Sequence, residues 1–70
     1  MSNARVGRLC WRFVVALRKG AREARREGDF DLAADMLKTA RVQLQIARAD
    51  DPAAEMCRLE RARLAEEEAG

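Results

Sequence analysis

Histidine and tyrosine are absent from this 70-residue chain, proline and tryptophan occur once each, and phenylalanine and cysteine twice. Each shortage closes a class of function. Without histidine no Ser–His or Cys–His nucleophile pair can be assembled, and the imidazole ligands common at zinc are missing. No C-x-x-C pair and no row of oxygen ligands at calcium-loop spacing replaces them. Neither a metal nor another cofactor is expected. Walker-type phosphate loops and Rossmann glycine patterns are also lacking, so the chain reads as a non-enzyme with no catalytic residue to assign.

Two further absences bound the setting. No secretory leader is recognisable, which predicts a cytoplasmic, reducing compartment in which Cys10 and Cys57 remain thiols. Both are expected in or near a core as small apolar residues; Cys10, flanked by Trp11 and near Arg8 and Arg12, sits on an apolar stripe rather than in a reactive setting. No segment approaches the roughly 18 consecutive apolar residues of a membrane span. The longest apolar run, Phe13-Val14-Val15-Ala16-Leu17, is bracketed by Arg12 and Arg18.

What is abundant is helix-forming: Ala, Leu, Arg and Glu dominate. The length allows a single domain, 1–70. A core of this size rarely supplies more than roughly 3–5 kcal/mol. With disulfides and metals set aside, self-association is the expected supplement, and a homodimer the expected state.

The apolar spacing predicts three helices. The first covers about 4–27, with residues 1–3 a disordered stretch or cloning remnant. Val6, Leu9, Cys10, Phe13, Leu17, Ala21 and Ala24 form its stripe, and Gly28 stops it. The second covers about 30–49, with Asp29 or Asp31 as cap. Its seam, Phe30, Ala33, Leu37, Ala40, Leu44 and Ala47, alternates steps of three and four. The expected core is Leu9, Phe13, Leu17, Phe30, Leu37 and Leu44. A second apolar side carries Leu32, Val42 and Ile46, to be covered by the third segment, a second subunit or a target. The third helix, about 52–68, starts at Asp51-Pro52 and has a weaker pattern. Glu66-Glu67-Glu68 stand where the helix dipole disfavours negative charge, so 66–70 is expected to fray. The fold class is therefore all-α: an antiparallel hairpin with a weaker third helix, pairing as a helical-bundle dimer.

Residues 17–44 resemble one tetratricopeptide-type hairpin. Leu17, Ala21 and Ala24, the turn Gly28-Asp29-Phe30, then Ala33, Leu37 and Ala40 carry the likeness. The resemblance covers less than half the chain, and no second copy follows. It implies close helix packing through small residues, and peptide or protein binding.

Charge is uneven. Residues 1–28 hold eight Lys/Arg against two Glu, near +6, and residues 29–70 hold six against ten Asp/Glu, near −4. Arg5, Arg8, Arg12, Lys19, Arg22 and Arg26 recur three and four apart along the back of the first helix, with Val15 in the same series. Trp11 lies at the flank of this ridge near Val15 and Arg18. Three readings fit: a solvated charged face, a docking face for an acidic protein surface, or a nucleic-acid contact with arginines on phosphates and Trp11 stacked on a base. The leading expectation is a regulatory protein–protein interaction module, an inhibitor or adaptor of the size class of small phage or mobile-element regulators. Its partner-binding face is Arg8, Trp11, Arg12, Val15, Arg18, Lys19 and Arg22, and its dimer or second-face contact is Leu32, Val42 and Ile46. A nucleic-acid binder using the same ridge is the alternative, and a structural assembly subunit the second alternative.

Overall fold

A computed structural model describes residues 3–69, which form three helices and no strand: α1 (Asn3–Arg26), α2 (Phe30–Arg48) and α3 (Pro52–Ala69). Asn3 already belongs to α1, and Met1 and Ser2 lie outside the described residues. Glu66–Ala69, expected to fray, are helical, with Arg63 bonded to Glu67 just before them, while Gly70 is outside the described residues.

Local chemistry sets the helix ends. Gly28 has φ +81°, the left-handed conformation that closes α1. Its N–H donates to the Arg25 carbonyl (3.1 Å) and the Asp29 N–H to the Ala24 carbonyl (2.8 Å), the bond pair of a Schellman motif. Asp29 then caps α2 by accepting from the Leu32 N–H at 3.1 Å. Asp51 does the same for α3, its Oδ1 accepting from the Ala54 N–H at 3.2 Å, with Pro52 in the first turn.

The contacts of two glycines fix the hairpin's direction. A Cβ built at Gly20 would meet Met36 Sδ at 3.1 Å, and one at Gly7 would meet the Ala47 carbonyl oxygen at 3.9 Å. Rising numbers on α1 thus pair with falling numbers on α2, so the helices are antiparallel and closely packed, as the short turn requires. None of the described helices is long and apolar enough to cross a membrane.

The core is made of small side chains. At the turn end Ala21, Ala24 and Ala33 cluster, with Met36 and Leu37 packed against them. At the open end Val6, Cys10 and Ile46 cluster beneath Ala47, Ala53 and Leu59, so that α3 is attached through its first two turns. Val14, 1% exposed, and Ala40 are also buried.

This corrects the sequence-based core. Phe13 is 48% exposed, Leu9 and Phe30 are also exposed, and Leu17, Leu37 and Leu44 are only partly buried. The contact line of α1 runs Val6, Cys10, Val14, Leu17, Ala21, Ala24, in steps of four, four, three, four and three. Leu9 and Phe13 precede Cys10 and Val14 by one residue each, and so lie about 100° further round the helix. Helices this close favour small residues along the contact line, with room for Met36 only opposite Gly20, and Leu9 and Phe13 stand at the side. Phe30 opens α2 beside Arg25, Ala33, Ala34 and Leu37 in a shallow surface hollow. Of the two cysteines, Cys10 is buried as expected, while Cys57 is exposed.

Candidate docking surface on the first helix

The side of α1 facing away from α2 carries the residues singled out by the sequence. Arg8, Trp11, Arg12, Val15, Arg18, Lys19 and Arg22 are all exposed. At 1.5 Å per residue, Arg8 to Arg22 spans about 21 Å. Spacings of three and four keep the cations on one side of the helix, which follows from its 3.6-residue turn.

At the open end this surface becomes concave. Gly7 has no side chain, α2 stops at Arg48, and the chain turns back to the buried Pro52. The resulting open groove has a volume of about 560 Å³ and is lined by Gly7, Arg8, Trp11, Arg12, Arg48 and Pro52, among others. Trp11 stands one helical turn beyond Gly7 and is 49% exposed, with part of its indole against the groove and part in solvent. An amphipathic ring at the lip of a groove, among guanidinium groups, has the composition of an interface hot spot.

No described carboxylate neutralises the charges of this face. Arg8, Arg12, Arg18, Lys19 and Arg22 form no ion pair with any described carboxylate. The ion pairs of α3 are internal to it: Arg58 with Glu55, and Arg63 with Glu60 and Glu67. Hydrogen bonding from Arg58 and then Gln45 holds the Glu55 carboxyl below its ordinary value, and hydrogen bonding from Arg63 does the same for Glu60. Two acids lie along this side: Asp50 lines the groove, and Glu23 lies beside Lys19, Arg22 and Arg26.

Other chemistry finds little support. Among the described residues no group of three or more His, Cys, Asp or Glu is placed to hold a metal ion. Burial pushes the Cys10 thiol above its ordinary value, which disfavours the thiolate a nucleophile requires.

The second predicted surface is divided. Ile46, 3% exposed, is covered by the chain's own third helix, so it is not available to a second subunit. Leu32 and Val42 are exposed on α2 but lie ten residues apart, about 15 Å along the axis. Gly7, Arg48 and Pro52 are the site residues that the sequence reading missed. The available signals were Gly7 one turn before Trp11, and the Asp51-Pro52 turn that brings the end of α2 back towards α1. Comparison of the chain with protein-family models, characterised proteins and solved structures finds no match.

Proposed function

We propose that this protein is a small cytoplasmic interaction module that docks an acidic segment of another protein on the outer face of α1, inhibiting or adapting that partner. The observation that carries the reading is Trp11, half exposed at the groove and surrounded by arginines that no described carboxylate of the chain neutralises. Desolvated Trp and Arg contribute disproportionately to protein contacts, and an uncompensated cationic face selects acidic partners and speeds encounter. The tetratricopeptide-like spacing of residues 17–44 points the same way. The small core and the many exposed large apolar residues, Leu9 and Phe13 among them, also favour a homodimeric working state.

The test is affinity capture from the native host with wild-type protein and the Trp11→Ala variant, quantified by mass spectrometry. A specific partner should be depleted at least about tenfold with the variant while its helicity is unchanged, a loss of roughly 1.4 kcal/mol. Identical captures from the two proteins would remove Trp11 from the account.

The row of cations along α1 supports one second reading, nucleic-acid binding. If five of them met phosphates, the logarithm of affinity would fall with the logarithm of salt with a slope of about −4.5. An oligonucleotide titration at several salt concentrations separates the readings, since a Trp-centred protein contact has a shallower slope.

A further inference from the structure

The far half of α3 is a helix without a covering partner. From Glu60 to Ala69 every side chain is exposed, including Leu64. The helix is anchored to the hairpin by Pro52, Ala53 and Leu59, and beyond that it projects as a ten-residue arm about 15 Å long. Isolated helices shorter than about 12–15 residues are marginal in water. This one also ends in Glu66, Glu67 and Glu68, at the pole where the dipole disfavours negative charge, with no basic residue in its last turn.

The arm and the outer face of α1 are complementary. Leu64 has Glu60 and Glu68 one turn to either side on the same helix surface, with Glu67 and a single cation, Arg61, beside them. Trp11 and Val15 are likewise flanked by Arg8, Arg12, Arg18, Lys19 and Arg22. One surface is an apolar side chain among three carboxylates and one arginine, and the other an apolar pair among cations. A 15 Å arm fits within a 21 Å face. Among the described residues the arm's carboxylates Glu60 and Glu67 pair with its own Arg63, and Leu64 is left exposed.

We infer that the face of α1 receives the α3 arm of a second copy of this chain. The inference rests on the docking reading above and names an occupant of the same face. Each copy offers one arm and one face, so two identical contacts close under a two-fold axis and no free end remains. The contact places Glu67 and Glu68 against arginines, which relieves the dipole penalty at the helix end, and buries Leu64 against Trp11 and Val15. It also makes self-association and partner binding competitive: a partner's acidic segment must displace the neighbouring copy's arm.

The experiment measures molar mass against concentration for the full chain and two charge-reversed variants. One is R8E/R12E/R22E, with the face reversed, and the other is E66K/E67K/E68K, with the arm reversed. Wild type should dimerise, and each variant alone should associate at least about tenfold more weakly. An equimolar mixture of the two variants should regain the dimer, because each then supplies the surface complementary to the other. Wild type that stays monomeric up to about 1 mM, a variant that dimerises like wild type, or a mixture that does not recover would each overturn the inference. Should a reversed variant lose its helicity, R8Q/R12Q/R22Q and E66Q/E67Q/E68Q replace the pair, and undiminished dimerisation of either overturns it. Failure here leaves partner capture through Trp11 intact, since that contact needs only the face.

Discussion

The side-chain Oδ1 of Asn3 accepts a hydrogen bond from the backbone N–H of Ala53 at 3.4 Å, across fifty positions of sequence. The first residue of α1 thereby satisfies one of the free donors at the start of α3, and Asp51 satisfies the next, at Ala54. The bond ties the start of α1 to the start of α3, and Asn3 itself lines the groove beside Trp11. Replacing Asn3 by Ala should cost about 0.5–1 kcal/mol in urea unfolding and speed hydrogen exchange at the Ala53 amide. Unchanged exchange at Ala53 would show that the bond does not hold α3 in place.

Two glycine-to-alanine changes should act in opposite directions. At Gly28 the backbone is left-handed, so alanine should destabilise by roughly 1–2 kcal/mol. At Gly7 the added methyl would meet its nearest neighbours at 3.9 Å, an ordinary contact. There the better helix propensity of alanine should stabilise by up to about 1 kcal/mol. Thermal unfolding of both variants checks the pair, and a loss of stability at Gly7 would mean that the groove floor is tighter than described.

Neighbouring residues on α1 report the position of its buried face. Val14→Ala removes two methyl groups from the most buried side chain and should cost roughly 1.5–3 kcal/mol. Phe13→Ala, although the larger truncation, should cost less than about 1 kcal/mol in the monomer, because that ring is half exposed. Chemical denaturation at low protein concentration decides, and the reverse order would restore the face on which Leu9 and Phe13 point inward.

That comparison marks how far the sequence was legible. The three helices were readable from caps and stops with local chemistry: Gly28 with Asp29, then Asp51 with Pro52. The antiparallel hairpin followed from the short turn, and the exposed cation row followed from spacing alone. The rotation of α1 was not readable, because Leu9, Phe13, Val14 and Val15 make its middle apolar on several sides and a size-weighted stripe favours the larger residues. Packing chose the smaller ones, since the alanines of α2 bring the backbones close. The groove was hidden for another reason: it depends on where the 49–51 bend returns the chain, a tertiary fact with no periodic signature.

Acid should loosen the start of α3. The Glu55 carboxyl is held below its ordinary value of 4.5 by Arg58 first and also by Gln45. A depressed folded value means that this contribution is present above about pH 4.5 and is lost as pH falls below it. Wild-type stability should therefore drop more steeply than that of E55Q between about pH 4.5 and pH 2.5. Parallel curves for the two proteins would show that the Gln45–Glu55–Arg58 contacts contribute nothing in solution.

The most direct test of the docking face uses Trp11, the chain's single tryptophan, as its own reporter. Its fluorescence should be quenched by iodide several-fold more strongly than by caesium in dilute protein at low salt. The surrounding arginines concentrate the anion, and the difference should shrink as ionic strength shortens the screening length. Equal quenching by the two ions, or an indole that neither reaches, would contradict an exposed tryptophan in a cationic surface.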